Sequence, residues 1–297
     1  MPGLKEVRIR IASVKSTQQI TNAMKMVAAS KLRKAQTAII KLRPYAAKLT
    51  EIMQNLSSSL GDTGDSPYTR ERIPENVLLV VITSNRGLCG GFNSNIIKAT
   101  LNLLSGTYNA QLRKGNVSLI TIGRKASEFF RKRGYNVVES HDDLFDHLTF
   151  DNVSPLAEQL MKAFADKKYD RIQLIYNQFK NAAVQRLIVE QYLPVLPVTP
   201  VAPASVMHTK HADYIFEPDQ ETIVQLLIPK SLRIQLYKSL LDSFASEQGA
   251  RMTAMHQATE NAKELLRALQ ISYNKARQQS ITKELLEIVA GAEALKG

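Results

Sequence analysis

The feature that most constrains this chain is a heptad repeat of apolar residues that begins at its N-terminus. One register of positions, spaced alternately by three and four residues, runs from residue 4 to residue 60, and no glycine follows Gly3 in this stretch. Such spacing is typical of a helix that packs along one seam against another helix. The seam is polar between residues 18 and 25. The sequence therefore predicts a coiled-coil helix over residues 1–60, with a local kink at Pro44, where a backbone hydrogen bond is lost.

A second seam of the same kind runs from Ile234 to Lys283 and is interrupted by polar residues at Gln248 and Arg251. If the two helices run antiparallel with their polar interruptions opposite each other, paired positions sum to about 270. This pairing leaves the chain from about Ser272 onward without a partner helix, an overhang of roughly 37 Å at 1.5 Å per residue. Because such an overhang cannot bury its own surface, we expect other chains to surround it.

The middle of the chain has a different pattern, which begins with the apolar run VLLVVI at residues 77–82. A short, continuous apolar run of this kind indicates a buried parallel strand. Strand patterns then alternate with helical patterns, which is typical of an α/β layer domain. The predicted strands are 117–122, 172–176 and an edge strand at 185–191, and the predicted helices are near 95–113, 124–133 and 155–167.

Four prolines recur at every third position from Pro194 to Pro203, which favours an extended, semi-rigid segment. The predicted fold class is therefore α/β. In chain order, a domain with a mainly parallel sheet comes between the two helices of one long antiparallel coiled coil. The predicted domains are an N-terminal coiled-coil helix (1–60), an α/β globular domain (75–193), a Pro-rich return linker (194–213) and a C-terminal coiled-coil helix with an unpaired tip (214–297).

The net charge of +12 is concentrated in the N-terminal helix, where residues 1–57 hold eleven Lys or Arg against two acidic residues. Residues 219–297 are nearly balanced, with ten basic and nine acidic side chains. A basic helix favours acidic partners, and nucleic acid is one alternative. No aromatic residue precedes Tyr45 for stacking on bases, which argues against that alternative. No apolar run approaches the roughly 20 residues that cross a bilayer, so we expect contact with a membrane only through a partner.

One glycine-rich turn, SNRGLCGGF at residues 84–92, follows the first predicted strand and precedes a helix. A phosphate-binding loop occupies this place in nucleotide-binding folds, yet the turn matches neither G-x-G-x-x-G nor G-x-x-x-x-G-K-[ST]. Tight turn packing is the favoured interpretation. Cys89, the single cysteine, excludes an internal disulfide and is interpreted as a structural thiol, although Arg86 is close enough in sequence to activate it.

A cluster of histidine and aspartate residues at positions 141–147 is the other candidate for chemistry. Its two histidines are six residues apart, which matches neither a helical nor a loop spacing of metal ligands. A polar surface turn is the favoured interpretation over a metal site. The lack of a catalytic motif in the sequence favours a structural or interaction role.

Four segments of the sequence are specific enough to compare with known families: IASVKSTQQITNAMKMVAASKLRKAQ at 11–36, RPYA at 43–46, SNRGLCGGFN at 84–93 and ITKELLEIVAGAEA at 281–294. Together they resemble one known family, the gamma subunits of F-type ATP synthases. The last fits the family signature I-T-x-E-x-x-E-x-x-x-G-A-x-A. The resemblance spans essentially the whole chain. A single cysteine departs from the chloroplast variant, which carries a regulatory cysteine pair, so the resemblance is to the bacterial type.

The resemblance implies a Rossmann-like α/β domain and a rotary central stalk that couples proton flow through a membrane c ring to ATP synthesis or hydrolysis at beta subunits. It implies one copy per complex, with three alpha and three beta subunits, an epsilon subunit and the c ring as partners, and no nucleic acid. It also implies no active site and no cofactor on this chain, since ATP, ADP and Mg bind alpha and beta. The expected location is the cytoplasmic face of the bacterial plasma membrane, as a peripheral protein.

By the same resemblance, two sets of residues contact beta. Met24 and Lys25 lie beside an acidic lever segment of beta, although Lys25 is also a polar seam position that could simply extend to solvent. The other set faces the beta catch loops and consists of Arg277, Gln278, Thr282 and Glu284. In the segment DYIFEPD, Tyr214 and Glu217 resemble the family's contact with epsilon and the c ring.

Overall fold

The computed structural model describes residues 4–60, 67–195 and 220–294. Within these ranges, no helix combines the length and the apolarity needed to cross a membrane. The elements in chain order are α1 (Leu4–Leu60), β1 (Val77–Ile82), α2 (Phe92–Ser105), α3 (Asn109–Arg113), β2 (Val117–Ile122), α4 (Arg124–Lys132), β3 (Val137–Ser140), a 3-10 turn (Asp143–Phe145), α5 (Phe150–Ala165), β4 (Arg171–Phe179), β5 (Gln185–Leu193) and α6 (Gln220–Ala294).

The five strands form one sheet in the order β3-β2-β1-β4-β5. Strand β1 lies at the centre and pairs in parallel with β2 and β4, and β2 pairs in parallel with β3. Strand β5 is antiparallel to β4 and forms one edge. The predicted fold class, a mainly parallel sheet between long N- and C-terminal helices, is confirmed, as is the predicted edge strand.

All six residues of β1 are buried, because helices cover both faces of the sheet. On one face, Leu78, Val80 and Ile82 pack with side chains of α5 and of residues 228–240 in α6. On the other face, the alternate residues of β1 pack with side chains of α2 and α4, among them Phe92, Ile96 and Phe130. A strand buried on both sides has no polar alternation, which is why its sequence is a continuous apolar run.

The structure differs from the sequence prediction at two places in this domain. The helix expected over 95–113 is two helices, because α2 ends at Ser105, with Gly106 as its C-cap, and α3 begins at Asn109. Strand β3 was not predicted, since its four residues are only partly buried at the sheet edge and give no apolar run. Pro44 lies inside α1, which extends on both sides of it.

The chain divides into two compact units, which are described separately. Unit 1 comprises residues 1–29 and 251–297, and unit 2 comprises residues 30–250. The predicted seam of α1 is confirmed by burial of residues at the expected positions in both units. They are Val7, Thr21, Ala28, Leu32, Ala35, Ile39 and Leu49.

In unit 1 the two helices run antiparallel, but their register differs from the predicted one. The hydroxyl of Thr259 donates to Thr21 Oγ1 at 2.9 Å, and the Arg8 guanidinium donates to the Tyr273 hydroxyl at 3.0 Å. Paired positions therefore sum to about 280, and the predicted sum of about 270 is wrong. Polar residues do meet across the seam, but the partner of Thr21 is Thr259 and not a residue near Gln248.

Candidate functional site

The outer end of the helix pair in unit 1 is marked by the contact between Arg8 and Tyr273. Besides its hydrogen bond, the guanidinium of Arg8 lies 5.9 Å from the centroid of the Tyr273 ring. The hydrogen bond lowers the pKa of Tyr273 and raises that of Arg8, because it favours the charged form of each group. Because the contact is exposed, it contributes little to the stability of the helix pair. It does mark where the pairing of α1 with α6 ends.

Beyond this contact, α6 continues as a helix whose residues from 277 to 293 are all exposed. This stretch, here called the tip, is about 25 Å long at 1.5 Å per residue. Five large apolar side chains on it are between 49% and 67% exposed. We call them the apolar band: Ile281, Leu285, Leu286, Ile288 and Val289.

The apolar band has the composition of a protein contact surface. Exposed single hydrophobic residues are ordinary, but a contiguous group on one helix indicates a binding site. Successive members from Ile281 to Leu285 and on to Ile288 are four and three residues apart, so they share one side of the helix. Polar side chains on the tip pair locally, for example Lys283 with Glu287 at 3.7 Å.

The four residues predicted to face catch loops lie at the start of the tip. Arg277 and Gln278 are exposed, and the hydroxyl of Thr282 donates to the Gln278 carbonyl at 2.9 Å. Glu284 accepts a hydrogen bond from Ser280 at 3.2 Å and is otherwise directed to solvent. All four residues therefore lie on the exposed tip, within the same stretch of helix as the apolar band.

Met24 and Lys25 lie on α1 and are half-buried against the helix pair of unit 1. Their neighbours Met26 and Val27 are 59% and 57% exposed. From the pairing sum, Lys25 lies opposite Met255, and Arg277 follows about 33 Å further along α6. The two sets of residues predicted to contact beta therefore lie at separate positions along the helices of unit 1. The predicted contacts Tyr214 and Glu217 lie outside the described residues.

The glycine-rich turn between β1 and α2 is closed by its own side chains. The Asn93 carboxamide accepts from the Ser84 backbone amide at 3.0 Å and donates to Cys89 Sγ at 3.2 Å. Cys89 is buried, and the hydroxyl of Ser84 donates to the Arg86 carbonyl at 2.6 Å. This network supports the interpretation of the turn as packing, because groups that could face a phosphate are used within the turn.

The histidine and aspartate cluster is also held by local contacts. His141 lies 3.2 Å from Glu139, and Asp142 accepts a hydrogen bond from Ser140 at 2.8 Å. In the part of the chain that the structure describes, no three His, Cys, Asp or Glu side chains are grouped so that they could hold a metal ion.

A family model described as ATP synthase matches residues 3–295 of the chain. Proteins named ATP synthase gamma chain from Christiangramia forsetii and Flavobacterium johnsoniae are each 54% identical over 297 residues, which is the full length of both chains compared. The gamma chain of Chlorobaculum tepidum is 49% identical, again over all of both chains. The chain belongs to the ATP synthase gamma chain family.

Solved structures agree with this membership. A chain of the central stalk and c-ring structure of the Tetrahymena thermophila mitochondrial ATP synthase has a TM-score of 0.61 and 28% identity, over 80% of this chain and 99% of that one. A chain of the Euglena gracilis mitochondrial enzyme has a TM-score of 0.67 over 98% of this chain and 94% of that one, and at 21% identity it shows the same fold. As a gamma chain, the protein is a central stalk subunit of an F-type ATP synthase, a membrane-associated complex.

Sequence reasoning predicted an unpaired tip from about Ser272, although Tyr273 still contacts Arg8, and it missed the apolar band of the tip. The heptad register was continued through Ser272, Ala276, Gln279 and Lys283, which are not the large apolar positions. The signal that would have found the band is a local change of register, since the large apolar residues from Ile281 to Val289 follow one another at spacings of four, one, two and one. Such a change of register is expected where a helix leaves one partner and meets another.

Proposed function

We propose that this gamma chain is the rotary shaft that couples proton flow through a membrane c ring to ATP synthesis or hydrolysis at the beta subunits. It carries no active site and no cofactor, and nucleotide and Mg bind alpha and beta. One copy stands in a ring of three alpha and three beta subunits, with epsilon and the c ring at its other end, on the cytoplasmic face of the plasma membrane. The observation that carries the proposal is the exposed tip with its apolar band.

The tip supports this role because it is a helix without a tertiary contact of its own among the described residues. The tip continues a long helix but lacks the tertiary packing that supplies most helix stability in proteins, so we expect a surrounding partner to order it. Burial of five large apolar side chains would offer several kcal/mol of binding energy, at about 25 cal/mol for each Å² of apolar surface. A sleeve of alpha and beta subunits is the partner we propose.

The coupling follows from asymmetry. One shaft presents different side chains to each of three surrounding beta subunits, so it stabilises a different conformation in each. When the shaft turns, these stabilising contacts move to the next subunit, and the nucleotide affinity at each site changes with them. In this proposal Met24 and Lys25 form one contact with beta, and Arg277, Gln278, Thr282 and Glu284 form the other. Tyr214 and Glu217 are proposed to meet epsilon and the c ring.

Reconstitution tests the proposal. The full chain, and a form truncated after Gln279, would be mixed with the cognate alpha and beta subunits, and complex formation and ATP hydrolysis would be measured. Truncation after Gln279 keeps the contact between Arg8 and Tyr273 and removes the apolar band together with the proposed beta contacts Thr282 and Glu284. We expect an active complex with the full chain and impaired assembly or turnover with the truncated one.

Two matched double variants distinguish the effect of losing the apolar band from the effect of a general loss of surface hydrophobicity. Leu285→Ser with Ile288→Ser changes the band, and Ile73→Ser with Val138→Ser removes exposed apolar side chains from unit 2. Only the first pair should lower ATP hydrolysis. If no complex forms with alpha and beta while the full chain binds nucleic acid in a salt-sensitive way, the basic N-terminal helix is the functional surface and the proposal is wrong.

A further inference from the structure

A groove on unit 2 is not used by the proposed contacts with alpha, beta, epsilon or the c ring. It lies between α2 and α4, the two helices that cover one face of the sheet, and has a volume of about 620 Å³. Its floor is apolar and consists of Ile97, Leu101 and Phe129, which are partly buried against the core below. Two neighbouring helices with an apolar channel between them offer the surface on which a third helix packs.

The rim of this groove is strongly basic. Lys98 stands on the α2 side, and Lys125, Lys132 and Arg133 stand on the α4 side. Glu128 is the one acidic residue that lines the groove, and Lys125 pairs with it at 3.1 Å. Among the described residues, Lys98 and Lys132 have no ion-pair partner, and both are exposed.

One end of the groove is shaped by Arg133, whose guanidinium lies 4.1 Å from the centroid of the Phe129 ring. A cation stacked on an aromatic ring is held in place at little cost and keeps its outer edge available for a carboxylate. The groove therefore combines an apolar floor with hydrogen-bond donors around it. The guanidinium of Arg133 is held on the Phe129 ring, and the lysine ammonium groups are on flexible side chains. This combination fits a ligand that is apolar on one side and anionic on the other.

We propose that this basic groove binds an acidic amphipathic helix of a partner protein. The apolar side of that helix would pack on Ile97, Leu101 and Phe129, and its carboxylates would meet the lysines of the rim. An anionic membrane surface is the less suitable occupant, because membrane insertion needs apolar side chains that protrude, and these three lie at the floor of a concave surface. The inference does not depend on the rotary role, since none of its residues belongs to the proposed shaft contacts.

The test measures binding of a fluorescein-labelled peptide that forms a helix with leucine on one side and glutamate on the other. Fluorescence anisotropy would be recorded with the full-length chain, with a Lys98→Glu/Lys132→Glu variant and with a Lys114→Glu/Lys162→Glu variant. Both variants change the net charge equally, and Lys114 and Lys162 are exposed residues outside the groove. We expect the groove variant to weaken binding by about tenfold or more and the control variant to change it by less than about threefold.

Three results would overturn the inference. Equal effects of the two variants would assign peptide binding to net charge, including that of the basic N-terminal helix. Equal binding of a scrambled peptide of the same composition would show that the apolar floor contributes nothing. Binding of phosphatidylglycerol and phosphatidylcholine vesicles that depends on Lys98 and Lys132, without binding of the peptide, would assign the groove to a membrane surface.

Discussion

Replacing Asp242 by asparagine should stabilise the folded chain at neutral pH and have little effect in acid. Asp242 is only 4% exposed and lies on α6 beside a cavity of about 410 Å³, which Arg43 of α1 and Lys238 of α6 also line. Burial raises the pKa of Asp242 from 3.8 to about 6. Glu190 on β5 adds to the rise, while Lys238 and Arg43 oppose it without cancelling it. The ionised carboxylate is thus less stable in the folded chain than in the unfolded one.

The magnitude follows from linkage between protonation and folding. A pKa of about 6 in place of 3.8 corresponds to about 3 kcal/mol, at 1.36 kcal/mol for each unit. Above about pH 6 the carboxylate is ionised in both states, so the folded state carries the whole cost. As the pH falls from about 6 to about 4, the folded state takes up the proton first and the cost disappears. An asparagine has the shape of the protonated acid at every pH.

The assay is urea unfolding of wild-type and Asp242→Asn chains, followed by circular dichroism at several pH values. The free energy of unfolding of the variant should exceed that of the wild type by up to about 3 kcal/mol near pH 8, and the difference should fall toward zero near pH 4. Asp146→Asn is the control, because Asp146 is exposed and has no such environment. If Asp242→Asn destabilises the chain near pH 8, or if its effect does not depend on pH, the attribution to burial of the carboxylate is refuted.

Three further predictions concern the backbone and the helix pair. A Thr21→Cys/Thr259→Cys variant in a Cys89→Ser background should form a disulfide on mild oxidation, seen as faster migration in non-reducing electrophoresis, because the two threonine hydroxyls are 2.9 Å apart. Gly123→Ala should lower the free energy of unfolding by roughly 2 kcal/mol or more in a urea titration, since φ there is 104° and a Cβ would lie 2.2 Å from the Thr83 carbonyl oxygen. In the free chain, amides of residues 280–293 should exchange with solvent far faster than those of β1, by mass spectrometry, because the tip lacks tertiary contacts.

Each of these predictions has a result that contradicts it. The positions of Gln18 and Met252 sum to 270, and in the structure the two residues lie about 15 Å out of register. If a Gln18→Cys/Met252→Cys variant formed a disulfide and the Thr21→Cys/Thr259→Cys variant did not, the register predicted from sequence would be the correct one. A Gly123→Ala chain as stable as wild type would mean that the close approach to Thr83 relaxes without cost. Slow exchange in residues 280–293 of the free chain would mean that the tip is ordered without a sleeve.

The sheet could be predicted from sequence because its strands are buried on both sides. Residues 77–82 and 117–122 are the bounds of β1 and β2 in both prediction and structure. Because nearly all residues of these two strands are buried, the strand pattern runs to both ends of each strand and marks those ends. Strand β3 gave no such signal, since it pairs with β2 at the edge of the sheet and contains Glu139 and Ser140. Its place is decided by contacts distant in sequence, which a local pattern does not contain.

The register of the helix pair could not be predicted for a different reason. Seam positions recur every three or four residues, so sliding one helix by ten residues, three seam intervals, leaves seam positions of the two helices within about one residue of each other. The sums of 270 and 280 differ by such a step, and apolar packing alone does not choose between them. The choice falls to individual polar contacts, and the prediction assumed that Gln248 and Arg251 were part of the polar seam. In the structure Gln248 instead donates to Glu247 within unit 2, while Thr259 meets Thr21.

A buried polar pair in an otherwise apolar seam costs stability and gives specificity in return. Thr259 also donates to the Met255 carbonyl at 2.7 Å, so its hydroxyl shares one proton between its own helix and Thr21. If both threonines were valine, the seam would be more apolar, but registers that differ by a helical turn would be closer in energy. For a part that we propose to transmit torque, a slip of this kind would uncouple Met24 and Lys25 from the residues near Arg277. The polar pair therefore lies between the two proposed contacts with beta, where it opposes a slip that would uncouple them.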